Sequence, residues 1–187
     1  LTCFSKTNNP QDGWWVYQLT GDPTSSNNWF DYPKVGVSNN EVYITGNLYD
    51  ASDSFDETVI YQIDKNDGYS GASFSWSYWV NISEDPFTLV PASYGIQGNY
   101  GPGIYFVSTD ENGTLTDKYR LYDLTDDISA SPQLNVYSVD ADFSLAGNAL
   151  QNGTSVVLSN GGNRGLKAFY LNGIVHFVFH SEKINAY

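Results

Sequence analysis

Cysteine is almost absent from these 187 residues: Cys3 stands alone, which excludes an intrachain disulfide and any cysteine-clustered zinc site. The redox compartment is therefore not legible from thiols. Basic residues are scarce too, eight Lys and Arg against 21 Asp and Glu, for a formal net charge of −13. Such a chain offers phosphate backbones and anionic lipid no attractive patch, so neither nucleic-acid nor membrane-surface binding is expected. No apolar run approaches the roughly 18 residues of a membrane span, so no membrane insertion is expected and the chain reads as soluble. Methionine is missing, and the chain opens on Leu1 without the basic and apolar regions of a signal peptide. Processing or fragmentation is the expected origin of that N-terminus.

What is present is aromatic and apolar: 41% of the residues are hydrophobic and 16% charged, outside the range of a disordered chain. Apolar residues alternate, as in Val42-Tyr43-Ile44-Thr45, or run in short β-branched and aromatic blocks such as Ile104-Tyr105-Phe106-Val107. Turn chemistry separates them, as in Gly21-Asp22-Pro23 and Asn160-Gly161-Gly162-Asn163. Almost no stretch supports a helix, and the fold class expected is all-β.

One pattern recurs three times. Val16-Tyr17-Gln18-Leu19-Thr20, Ile60-Tyr61-Gln62-Ile63-Asp64 and Leu121-Tyr122-Asp123-Leu124-Thr125 share an aliphatic, Tyr, Gln/Asp, aliphatic, Thr/Asp order. An earlier strand precedes each, at Thr2–Ser5, Val42–Thr45 and Ile104–Val107, and Val175–Phe179 is a fourth copy of that earlier slot. The period is roughly 45 to 60 residues, the size of a four-stranded antiparallel propeller blade.

Four strands, a to d, fit each unit. The first whole unit places a near Lys34–Val37, b near Val42–Tyr49, c near Thr58–Asp64 and d near Phe74–Asn81. The second places them near Val90–Gln97, Gly103–Ser108, Lys118–Thr125 and Gln133–Val139, and in a third Leu166–Leu171 turns through Asn172-Gly173 into strand b. The expected division is a partial blade over 1–29, whole blades over 30–82 and 83–140, and a partial blade over 141–187. Leu1 enters in a b strand and Tyr187 follows another, so an incomplete ring is expected, an arc of a longer polypeptide. Its expected partners are the remaining blades of the parent chain or further copies of itself. A self-contained β-sandwich with irregular repeats is the alternative.

Trp29-Phe30-Asp31-Tyr32-Pro33-Lys34-Val35-Gly36-Val37 and Glu41-Val42-Tyr43-Ile44-Thr45-Gly46-Asn47 resemble the blade signature of secreted bacterial β-propellers of the sialidase-like, BNR-repeat-like superfamily. Asp12–Tyr17 and Leu166–Gly173 carry the same resemblance, which covers most of the chain. It implies an extracellular or cell-surface location more than a reaction. Sialidases of that superfamily bind the substrate carboxylate through three arginines, whereas this chain has only Arg120 and Arg164. Their Asp-box, Ser-x-Asp-x-Gly-x-Thr-Trp, is approached by Ser108–Thr114, which has one residue too many before its glycine and no Trp after it.

Acidic pairs are plentiful, Asp53 with Asp56, Glu84 with Asp85, Asp110 with Glu111 and Asp126 with Asp127, but all fall in predicted loops where solvated turn carboxylates are the default. Asp50, Asp53 and Asp56 share one loop and could converge on a calcium ion. Asp64-Lys65-Asn66-Asp67-Gly68 lacks the spacing of an EF-hand and reads as a turn. No other cofactor is implied. His176 and His180 share a strand face about 13 Å apart, too far for one metal. Strand order places the d–a and b–c connections at one rim, an acidic face containing Asp31, Tyr32, Asp53 and Asp85, with Arg164 as its main basic group. Trp29, in a d–a connection beside Asp31 and Tyr32, is the tryptophan best placed to meet a glycan or protein ligand; packing is expected of Trp14, Trp15, Trp76 and Trp79. The function expected is a non-catalytic exported scaffold for ligand binding or adhesion. The alternative is part of a glycan-acting hydrolase or lyase whose catalytic residues lie largely elsewhere.

Overall fold

The computed structural model describes residues 1–94, 100–109, 118–141, 143, 147–159 and 162–181. They form an all-β structure of mainly antiparallel sheets. In chain order the strands are β1 (Thr2–Ser5), β2 (Trp14–Tyr17), β3 (Trp29–Val37), β4 (Glu41–Tyr49), β5 (Phe55–Asp64), β6 (Trp76–Trp79), β7 (Val90–Tyr94), β8 (Ile104–Thr109), β9 (Lys118–Leu124), β10 (Leu134–Asp140), β11 (Ala149–Leu150), β12 (Val157–Leu158), β13 (Gly165–Leu171) and β14 (Ile174–Phe179). Among the described residues no helix is long and apolar enough to cross a membrane.

Strands β3 to β6 form an antiparallel meander of four strands, in the order expected for a to d. Strand β3 begins five residues earlier than its expected start, because a bulge between Asp31 and Lys34 lets Trp29–Asp31 keep pairing with Asn47–Tyr49. Tyr32, at φ 56°, and Pro33, which has no N–H to donate, occupy the bulge. Strands β7 to β10 form a second meander, but it is not a separate sheet. Strand β7 pairs parallel with β13, giving one curled six-stranded sheet in the order β10-β9-β8-β7-β13-β14. Of the expected strand Val90–Gln97, residues 95–97 lie outside the described residues, as does Asp110–Thr114 of the Asp-box-like run.

Two cores flank the first meander. Phe4, Leu48, Val59, Tyr61 and Ile63 are buried on the side covered by the β1–β2 hairpin. Tyr43, Ile60, Leu89, Val90, Phe106, Tyr122 and Leu124 are buried on the side facing the six-stranded sheet. Ile60 and Tyr61 thus point to opposite, equally buried faces, which is why β5 reads as a continuous apolar block and not as an alternation. The sheets touch where β3 crosses β7: a Cβ at Gly36 would run into Pro91 and Ile104, so only glycine allows this approach.

The segment expected as a turn at Asp64–Gly68 is a six-residue helix, α1 (Lys65–Ser70). The Asp64 carboxylate caps it by accepting from Asn66 N at 2.8 Å, and Gly71 closes it at φ 72°. The repeat tyrosines are not all equivalent. Tyr61 Oη donates to Thr20 O at 2.7 Å and Tyr122 Oη to Ser83 O at 3.2 Å, each reaching a connection about forty residues back. Tyr17 instead reaches forward to Asp67 O at 3.1 Å, because its two-stranded hairpin docks on α1.

Candidate functional site

Strands β3, β7 and β13 lie side by side, and their N-terminal ends gather an aromatic and cationic cluster. The Arg164 guanidinium lies 4.7 Å from the Phe87 ring centre and 5.4 Å from that of Tyr32. Lys34 Nζ lies 4.7 Å from the Tyr32 centre and donates to Leu166 O at 3.2 Å. Burial, then the Lys167 charge, holds the Lys34 ammonium below its usual pKa.

Of the residues expected at this rim, Tyr32 and Arg164 therefore meet. Trp29 is 43% exposed and stacks on Tyr49 at 4.9 Å. Asp31 is exposed on β3, and Asp53 sits at φ 63° in the β4–β5 turn. Asp85 lines a cleft of about 550 Å³ with Asp56, Glu57 and Glu84, so the β6–β7 connection and the start of β5 do meet. Arg120 donates to Glu84 Oε2 at 3.0 Å beside it. The Asp50 carboxylate is occupied by Ser52 N and Ser54 N, and Asp56 accepts from Asn28 Nδ2 at 2.7 Å. Among the described residues no three His, Cys, Asp or Glu side chains assemble as a metal site, Asp50, Asp53 and Asp56 included. Trp14 is exposed and not packed as expected, and His176 stacks on Phe169 at 4.6 Å.

The opposite ends of the same strands build a second site. Asn39 N, just beyond β3, donates to Tyr100 O at 2.8 Å. Tyr100, Gly101–Tyr105, Asp123, Thr125 and Tyr170 line a cleft of about 250 Å³. Cross-strand pairing sets Tyr105 directly opposite Asp123, while Tyr170 arrives on β13, paired to β7. Tyr100 and Tyr170 stack with centres 4.8 Å apart, Tyr105 and Tyr170 at 5.7 Å, and Tyr100 Oη accepts from Tyr105 N at 3.0 Å. Half-buried Asp123 takes no hydrogen bond or ion pair among the described residues. Burial, then the Asp126 charge, raises its carboxyl pKa, and burial with Asp123 raises the Tyr105 phenol.

Behind this cleft lies a buried polar network. Glu41 Oε2 accepts from Tyr43 Oη and Gln62 Nε2, both at 2.7 Å, and Oε1 accepts from Ile128 N at 2.6 Å. Gln62 also donates to Asp126 O at 2.9 Å, so strands β4 and β5 are tied to the β9–β10 connection. Burial outweighs these three donors and raises the Glu41 pKa, with Asp127 adding to the rise.

No protein-family model, curated protein or solved structure matches this chain. Neither the tyrosine cleft nor the Glu41 network was among the sequence candidates. Glu41 did carry a signal, since strand alternation puts it on the face of Tyr43. For the cleft, the one local signal available was Tyr100, an aromatic residue set among Gly and Pro.

Proposed function

We propose that the chain is an arc of a β-propeller serving as a non-catalytic scaffold for ligand binding or adhesion, at the cell surface or outside the cell. The observation that carries the binding role is the tyrosine cleft, a concavity that holds a half-buried carboxylate with no hydrogen bond or ion pair among the described residues. Two successive four-strand meanders whose first strands run side by side support the propeller architecture, as does the shared backward reach of Tyr61 and Tyr122. Exported location rests only on the resemblance carried by Trp29–Val37, Glu41–Asn47, Asp12–Tyr17 and Leu166–Gly173.

The test is thermal denaturation against a panel of neutral saccharides, polyols and organic cations, paired with fluorogenic glycosides. At least one ligand class is expected to raise the Tm, and Tyr105→Ala to remove that rise. Sialoside turnover is expected to be absent, because the clustered acids repel a carboxylate-bearing sugar. Turnover lost on Arg164→Ala would instead establish a glycan-acting hydrolase or lyase.

Exposed apolar side chains at both ends of the arc, Trp14, Val16, Val35 and Val37 at one and Phe169, Ile174 and Val178 at the other, support packing against further blades or a second copy. Sedimentation is expected to show self-association or a co-purifying remainder of the ring. A compact, stable monomer would overturn the arc.

A further inference from the structure

We propose that the chain binds a second copy of itself head to tail, the open edge of β14 in one copy pairing antiparallel with the open edge of β1 in the next. This rests on the reading of the chain as an arc, and it names the partner and the contact that extend the arc. Among the described residues β1 pairs only with β2 and β14 only with β13, whereas β3–β6 and β7–β10 are meanders of four strands. Joined at those two edges, the hairpins make β13-β14-β1-β2, a further four-stranded antiparallel unit. A two-stranded hairpin alone is marginal in water, so each half gains stability from the other.

The two edges match in detail. Lys6 N donates to Gly13 O, and alternation along the β1–β2 ladder then turns the N–H and C=O groups of Cys3 and Ser5 outward. In the other hairpin Leu171 and Ile174 flank the two-residue Asn172-Gly173 turn, which turns the N–H and C=O groups of Val175 and Phe177 outward. The faces agree with that pairing. Phe4 packs on Leu48, Val59 and Ile63, so Cys3 points away from the first meander. Val175 and Phe177 pack on the core of their own sheet, which leaves Ile174, His176 and Val178 on the exposed side of β14. With Val175 and Phe177 set on the Cys3 side of the new pair, Ile174 and Val178 face the neighbour's β3 and β4. There a groove of about 380 Å³ runs beside β1 over Val35, Val37, Val42 and Ile44, the part of the first meander that the β1–β2 hairpin leaves open.

Charge and closure select a second copy as the occupant. A chain of net charge −13 repels itself over most of its surface. The groove and β14 are exceptions: neither carries an Asp, Glu, Lys or Arg side chain, and no acid stands anywhere between Asp142 and Glu182. Two copies therefore meet there without like charges facing each other. Pairing of β14 with its own β1 would close a ring of only three four-stranded units, while two copies close a ring of six, inside the range of about four to eight blades. The surfaces that meet are unlike, so the contact is heterologous, and it closes where the rotation between copies permits.

The experiment is sedimentation equilibrium of the whole chain and of variants at each end. The natural chain is expected to form a dimer. Val35→Lys and Val178→Lys replace side chains that are 58% and 56% exposed in the single copy, so the circular dichroism spectrum and cooperative melting are expected to be retained. Each is expected to weaken the dimer by about tenfold or more, since the lysine would be buried against the neighbour. Mixing the two variants is expected to restore association, because the unaltered β14 of one meets the unaltered β1 and β3 of the other. Tyr137→Lys, exposed on β10, is expected to leave the dimer intact. A dimer lost in Val178→Lys but untouched by Val35→Lys would show β14 pairing with itself, and that result or a failure to recover on mixing would overturn the proposal. Self-association untouched by both variants, or co-purification with a different polypeptide in its place, would discard this contact and leave the arc standing. A stable monomer of the natural chain would discard both.

Discussion

Glu41→Ala is expected to lower the unfolding free energy by about 3–5 kcal/mol, measured by urea denaturation. Glu41 is 1% exposed, and its two oxygens receive the Tyr43 hydroxyl, the Gln62 amide and the Ile128 N–H. Truncation removes the acceptor for all three at once, and buried Tyr43 and Gln62 are left with donors that water cannot readily reach. Each such unmade bond costs about 1–3 kcal/mol, and the cavity left by the side chain adds to that. Tyr43→Phe, which deletes one donor and leaves Glu41 its other two, is expected to cost only about 1 kcal/mol. A loss below about 1 kcal/mol in Glu41→Ala would show that the β9–β10 connection does not depend on this carboxylate.

The same residue makes stability depend on pH in a defined direction. Burial raises the folded-state pKa of Glu41 above the ordinary 4.5, so the folded protein takes up a proton there more readily than the unfolded chain. Its contribution is therefore fully present below pH 4.5 and is lost as the pH rises through the raised folded value. Asp123, also raised by burial, acts with the same sign. Glu41→Gln removes only the first of these. The stability of the natural chain relative to Glu41→Gln is expected to fall as the pH climbs from about 4 to 8, in paired urea titrations. A difference that stays flat across that range would contradict the burial argument.

How far the sequence carried depended on whether a feature is local or made by distant strands. Alternation and turn residues located strands β3 to β10 and the β13–β14 hairpin, because period-two patterning and Asn172-Gly173 act within a few residues. The parallel β7–β13 pairing escaped, since it joins Ala92 to Ala168 across a long intervening segment and neither strand advertises its neighbour. Helix α1 escaped for a different reason. Its Asp64 cap and Gly71 stop are also turn residues, and Gly68 is buried in its middle against Phe4, a contact that only the tertiary fold supplies. Of the rim residues expected in loops, Trp29, Asp31 and Tyr32 lie within β3, because the bulge at Tyr32–Pro33 lets the strand keep pairing back to Trp29, and Tyr32 meets Arg164 at the start of β13. The tyrosine cleft was not legible, because Tyr100, Tyr105 and Tyr170 converge only after β7, β8 and β13 have paired.

Tyr61→Ala is expected to destabilise the fold by about 3–5 kcal/mol, the cost of truncating a large buried aromatic side chain. Tyr61 is 2% exposed, lies edge-on to Phe30 at 6.0 Å and tilts against Trp76 at 6.0 Å. Burial, then the Asp22 charge, pushes its phenol up to about 12, so the hydroxyl stays protonated and donates to Thr20 O over the accessible pH range. Tyr61→Phe keeps the ring and loses that bond, for an expected cost of about 1 kcal/mol. Tyr122 is 0% exposed and reaches Ser83 O in the same manner, so Tyr122→Ala is expected to match Tyr61→Ala. Tyr17 is half-buried on a two-stranded hairpin, stacked on Phe74 at 4.1 Å, and its truncation is expected to cost less than either. Urea denaturation of the three alanine variants ranks them directly. A Tyr17→Ala loss equal to the other two would show that the hairpin belongs to the same cooperative core, and a Tyr61→Ala loss under about 1 kcal/mol would remove Tyr61 from that core.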